Sequence, residues 1–231
     1  MKNRIFIVHP QTCFFLLTVT LFFLSWIGSV CGWAGVQSLL SAEGLRWILR
    51  HIAGDYVGSP VLFPVMVLFF GGGLWVDSGL GKTCRDLLRG KKQASHRERH
   101  ALWMAAAAGG IYLGICMLLA WEPEGIVRSA VGTLAGSPFM AGIWCIVSLG
   151  IGSTSVVYAY AVDFYRSDRD IIRGMSCLFI RHASYFATLF FVVLFFSSLA
   201  YTRLAACAGV SGEVVEWLYV ICSLLPLLER D

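Results

Sequence analysis

Asp77 is the one acid in the apolar, glycine-rich stretch from Gly58 to Leu80, GSPVLFPVMVLFFGGGLWVDSGL. Holding a charge at membrane depth costs about 2.5–3.5 kcal/mol, so an ionisable group there marks an ion or substrate path. At the membrane interface the same carboxylate serves as a polar cap. Pro60 and Pro64 at the start, and Gly71, Gly72 and Gly73 in the middle, weaken regular helix. Lipid tolerates that only where protein or a water-filled cavity satisfies the freed backbone groups. A second set of groups follows: Ser148, Ser153, Thr154 and Ser155 cluster with Gly150 and Gly152. Their hydroxyls can coordinate a small cation or polar substrate, or bond their own helix backbone. If both stretches line one path, Asp77 lies within reach of Ser153, Thr154 or Ser155, since pairing with hydroxyls lowers the cost of a buried carboxylate. The candidate transport residues are therefore Asp77, Gly71, Gly73, Ser148, Ser153, Thr154 and Ser155.

Other chemistry finds little support. His96-Arg-Glu-Arg-His100 spaces two histidines as a metal site would, but Lys91, Lys92, Arg97 and Arg99 repel a cation and two ligands are too few. We expect no metal and no cofactor. The segment reads as a basic loop near anionic headgroups. No G-x-S-x-G, H-E-x-x-H or phosphate-loop pattern occurs, so an enzyme is not expected. The eight cysteines are dispersed, mostly in apolar runs, and read as small buried residues. Glu213 and Glu216 open an apolar run, where carboxylates suit the positive end of a helix dipole, and read as outer-surface caps.

The elements that position these residues are membrane helices. Of 231 residues 58% are hydrophobic and 14% charged, against roughly 45–50% and 25% in soluble domains; the mean hydropathy is +0.73. The spacing predicts an all-α integral membrane protein, a single membrane domain with helices at about 13–30, 60–80, 101–121, 139–163, 183–202 and 214–228. The helix at 60–80 is expected to be broken. An amphipathic helix at about 41–52, with Leu45, Ile48, Leu49 and Ile52 on one face, lies on the membrane or lines a partner helix. Ala105 to Ala108, Gly109, Gly110 and Gly114 give the helix at 101–121 a small-residue surface for close packing. With six spans and the N-terminus inside, 14 of the 18 Lys and Arg residues fall on inner segments and 4, Arg46, Arg50, Arg128 and Arg203, on outer ones. The inner set includes Lys2, Arg4 and Arg230, and its bias places both termini in the cytoplasm of a bacterial-type inner membrane.

An internal repeat, or a coincidence among the few residue types that lipid permits, runs through the middle of the chain. Gly58-Ser-Pro60 recurs as Gly136-Ser-Pro138, and Gly71 and Gly73 recur as Gly150 and Gly152. Arg85-Asp-Leu-Leu-Arg-Gly90 recurs as Arg169-Asp-Ile-Ile-Arg-Gly174, and Arg99-His-Ala101 as Arg181-His-Ala183. The order is kept and the offsets drift only from 78 to 84, as expected for two parallel copies of a two-helix unit.

The stretch from Ser38 to Leu80, SLLSAEGLRWILRHIAGDYVGSPVLFPVMVLFFGGGLWVDSGL, with His9-Pro10 before it, resembles the N-terminal part of the AbgT-type p-aminobenzoyl-glutamate transporter family over about residues 9–80. The shared features are an amphipathic Ser-Ala-Glu-Gly-Leu-Arg-Trp-Ile segment, an aromatic and glycine turn, and a helix ending in Gly-x-Gly, an acid and Ser-Gly-Leu. The resemblance implies a dimeric inner-membrane secondary transporter of aminobenzoyl compounds or sulfonamide drugs, driven by an ion gradient. From Lys82 onward no counterpart of the family's ligand-bearing hairpins is traced, so no binding residue carries over. The functional expectation is a reduced-size secondary transporter moving a small organic anion or drug, with a non-transporting accessory or scaffold subunit as the alternative. Its expected partners are the lipid bilayer and a second copy or another membrane subunit, and no nucleic acid.

Overall fold

A computed structural model describes residues 9–90, 95–121 and 136–228. Lys2, Arg4, Lys91, Lys92, Arg128 and Arg230, used above for orientation, lie outside the described residues. The chain forms α1 (Pro10–Val30), α2 (Ala42–Val57), α3 (Leu62–Asp77), α4 (Leu80–Leu88), α5 (His96–Trp121), α6 (Pro138–Ala141), α7 (Ile143–Ala161), α8 (Asp168–Arg181), α9 (Ala183–Thr202), α10 (Leu204–Cys207) and α11 (Gly212–Leu228). Among the described residues five stretches are long and apolar enough to cross a membrane: α1, Ala42–Asp77, α5, α7 and α9. The protein is an all-helical, multi-pass membrane protein. The last helix, α11, runs for 17 residues.

The broken helix differs from the expected one in where it breaks. Residues 58–61, between α2 and α3, leave the helix, and a turn at Ser78 and Gly79 ends α3, with Gly79 at φ +76°. Through Gly71, Gly72 and Gly73, α3 is continuous. Each glycine weakens a helix by about 1 kcal/mol relative to alanine, and close approach of neighbouring helices offsets that loss, as described below.

Contacts divide the chain into two units, Met1–Phe63 with His182–Asp231, and Pro64–Arg181. In the first unit α1 packs along α9, with Phe14 edge-on to Phe195 at 6.1 Å and Phe15 to Phe191 at 5.7 Å. Leu21, Leu39 and Leu204 form a buried core that Ile48 of α2 joins. The connection from α1 to α2 is pinned: Leu39 N–H donates to Ser25 Oγ at 3.2 Å and Gln37 N–H to the Thr202 carbonyl at 3.2 Å. Ser41 caps α2 by accepting from Gly44 N–H at 3.0 Å. The amphipathic helix thus extends to Val57, beyond the expected end, and lines α9, with Trp47 stacked on Tyr201 at 4.6 Å and Tyr56 donating to the Phe186 carbonyl at 3.1 Å. Leu45 and Leu49 of its apolar face stay exposed, a surface suited to lipid rather than water.

In the second unit α3 and α7 run parallel, since Ser148 meets Val67 and Gly71 while Ala159, further along α7, packs with Leu74. The helix α8 returns antiparallel, with Gly174 beside Gly73 and Phe179 beside Phe69 and Phe70. On the other side α5 lies antiparallel to α7, burying Ala101 and Ala105 against Tyr158. Only part of the small-residue surface is used in this way. Gly109 approaches Thr154, whereas Gly110 and Gly114 face open space.

Candidate functional site

The residues singled out in sequence belong to the second unit, where they form two sites and not one. At the first, the Ser148 hydroxyl accepts from Gly71 N–H at 3.0 Å and donates to the Val67 carbonyl at 2.5 Å. Val67 and Gly71 are four apart, the pair that an α-helix bonds to itself, so Ser148 enters the hydrogen-bond ladder of α3. A Cβ at position 71 would collide with the Ser148 backbone and lie 2.8 Å from its Oγ. Gly152 stands against Gly71 Cα and Leu74 in the same crossing. On the opposite side a Cβ at position 73 would come within 2.5 Å of the Gly174 carbonyl. Gly71 and Gly73 are therefore contact points for α7 and α8.

The second site surrounds Asp77 at the C-terminal end of α3. Its side chain is 18% exposed and accepts from the Tyr165 hydroxyl at 3.0 Å. Arg173 of α8 reaches the same oxygen at 3.4 Å and, with its other nitrogen, Asp170 at 3.5 Å. The Arg173 guanidinium also lies 5.6 Å from the centre of the Phe164 ring, within cation–π range. Tyr165 is buried, and that burial, followed by its bond to Asp77, pushes its hydroxyl well above the ordinary tyrosine range. The arrangement sets one carboxylate between one guanidinium and one phenol.

Asp77 and the hydroxyls of α7 are consequently not partners, contrary to the expectation. Ser153 donates to the Gly150 carbonyl at 3.1 Å, Thr154 to Gly150 and Ile151 at 3.0 and 2.9 Å, and Ser155 to Ile151 at 2.7 Å. A hydroxyl three or four residues past a helical carbonyl reaches it without any rearrangement, and here that local bond wins. Thr154 and Gly150 instead help line an apolar cavity of about 710 Å³ between α5 and α7. Tyr165 and Arg173 were missed by sequence reading. The signal for Arg173 was present in the repeated Arg-Asp-Ile-Ile-Arg-Gly segment, whereas nothing in sequence marks Tyr165. The basic segment also does more than meet solvent, for Arg97 forms an ion pair with Asp163.

A multi-pass, all-helical chain with paired charges at helix ends defines a polytopic membrane protein whose class is set by family. The AbgT putative transporter family model matches residues 80–221, more than half of the chain, and the chain belongs to that family. The match begins where the quoted stretch ends and covers the part in which no counterpart was traced. The fold is similar to that of the YdaH transporter of Alcanivorax borkumensis, with a TM-score of 0.79 and 17% identity over 92% of this chain and 74% of that one. It is also similar to MtrF of Neisseria gonorrhoeae, a protein described as illuminating a class of antimetabolite efflux pumps, with a TM-score of 0.71 and 15% identity over 96% and 80% of the two chains. No curated protein sequence matches the chain.

Proposed function

We propose that the protein is a secondary transporter of the inner, or plasma, membrane that moves a small organic anion or drug of the aminobenzoyl-glutamate type. The observation that carries this reading is the family match over residues 80–221. The fold shared with MtrF, described among antimetabolite efflux pumps, adds a substrate class. Six spans with α11 as the sixth, both termini cytoplasmic and a homo-oligomeric or partnered assembly complete the proposal. Within it, the Asp77, Tyr165 and Arg173 group is the candidate for charge-dependent steps, and Gly71, Gly73 and Ser148 fix α3 against its neighbours. Purified protein in liposomes supplies the test: labelled p-aminobenzoyl-glutamate, or a sulfonamide, should move down an imposed sodium or proton gradient. Rates equal to those of protein-free vesicles for both compounds would overturn the reading.

One observation favours the scaffold alternative. Ser153, Thr154 and Ser155 spend their hydroxyls on their own helix, as a span that lines no polar path would. On that reading the protein stabilises another membrane subunit, which co-purifies with it and is lost from the membrane in its absence.

A further inference from the structure

The first unit contains a cavity of about 380 Å³ to which the transport reading assigns no role. It opens where α2 gives way to α3, and Gly58, Ser59 and Pro60 of the interruption form part of its wall. This interruption falls inside the 36-residue apolar stretch Ala42–Asp77. Non-helical backbone at such a place persists only where protein buries it or a cavity admits polar contents. Asp55 of α2 and Glu216 of α11 both line the cavity, and among the described residues its lining holds no Lys, Arg or His. The remaining wall is largely apolar, and Phe196 packs on Tyr219 with ring centres 5.3 Å apart. Tyr219 is anchored there by donating to the buried Ser59 Oγ at 2.7 Å.

We propose that this cavity binds a small organic cation, its ammonium group held by Asp55 and Glu216 and its apolar or aromatic body against Phe196 and Tyr219. Two carboxylates without a base repel an anion, and a neutral guest leaves their charge unmatched. A bare metal ion fits poorly, because hard cations require six or more oxygen ligands and the walls are mostly carbon. An aromatic pair beside carboxylates suits an alkyl- or arylammonium, which gains from the ring faces as well as from charge. The volume lies near the lower end of small-molecule pockets, roughly 300–1,000 Å³, and so fits a single-ring ligand. Glu216 thereby acquires a role beyond the capping one read from sequence.

Equilibrium binding to the purified full chain tests the proposal without requiring transport, so its failure and that of the transport reading are separate results. Benzyltrimethylammonium should bind measurably by calorimetry, and benzylsulfonate should not. Asp55→Asn and Glu216→Gln should each weaken binding about fivefold, the scale of a partly exposed charge contact, and the double variant should weaken it further. Glu43→Gln, an acid on the exposed start of α2, controls for net charge and should bind as the parent does. Asp55→Glu should restore most of the affinity lost in Asp55→Asn. If Asp55→Asn does not fold, Glu216→Gln decides alone. Equal binding of cation and sulfonate, or parental affinity in Glu216→Gln, would overturn the inference.

Discussion

Asp77 shares its carboxylate between a phenol and a guanidinium, so its neighbours divide into one that positions and one that compensates charge. Tyr165→Phe removes a hydrogen bond to a charged group, worth about 1.5–3 kcal/mol, and leaves Arg173 to hold Asp77. It should lower thermal stability in detergent while leaving the membrane level of the protein near normal. Asp77→Asn keeps the shape and removes the charge. Under the transport reading, uptake of p-aminobenzoyl-glutamate into liposomes should collapse in Asp77→Asn at normal expression, and full uptake would make Asp77 a helix-end cap. Asp170 offers a pH test at the same scale. The backbone N–H groups of Arg166 and Ser167, at 2.9 and 3.1 Å, hold its carboxyl below the ordinary aspartate range. A depressed folded value means that the stabilisation is present above the unfolded pKa, about 4, and is lost as pH falls through the folded value. Amide exchange in the first turn of α8, corrected for intrinsic rates, should therefore quicken in acid and not in mild alkali. Asp170→Asn should show the faster exchange already at neutral pH.

At the scale of elements, the crossing of α3 with α7 and α8 is the most constrained place in the second unit. Gly71→Ala puts a methyl group into the Ser148 backbone, an overpacking error of about 1–3 kcal/mol. In a chain of this size each kcal/mol shifts the melting temperature by about 2–4 °C, so a fall of several degrees is expected. Gly110→Ala meets open space and should leave the transition unmoved or slightly higher. Equal effects of the two changes would mean that helix propensity, not packing, sets the role of these glycines. Much of this was legible beforehand: spans follow from apolar length, and the glycines announced an unusual helix. What they announced was misread, because a glycine that breaks a helix and one that admits a neighbour look alike until that neighbour is known. The same ambiguity hid Asp77's partners, since Tyr165 sits in the turn after α7 and no periodicity points to it. The repeat read from sequence would pair α3, α4 and α5 with α7, α8 and α9. Two parallel copies predict that residues 58–121 and 136–203 superpose by rotation about an axis near the membrane normal in a structure determined in lipid. An inverted relation would rule this out.

For the whole molecule, orientation rests on charge. Eleven of the 14 expected inner charges fall in residues 82–99 and 166–181, so reporter fusions at Ser95 and Arg169 should report the cytoplasm and a fusion at Glu124, outside the described residues, the opposite side. An external signal at Ser95 or Arg169 would overturn the six-span arrangement. Fold class and family were within reach of the sequence because lipid restricts composition and because family-like features survive in it. The cavity beside Asp55 was not, since it draws on three segments far apart in the chain. Ser148 and Gly71 pose the same problem in time. They are separated by 77 residues, and a ribosome adding about 5–20 residues per second leaves α3 for roughly 4–15 s before its serine exists. During that interval Gly71 N–H has only Val67 of its own helix to bond, so α3 is first made as an ordinary helix and its Val67–Gly71 rung takes on the Ser148 hydroxyl only when α7 arrives.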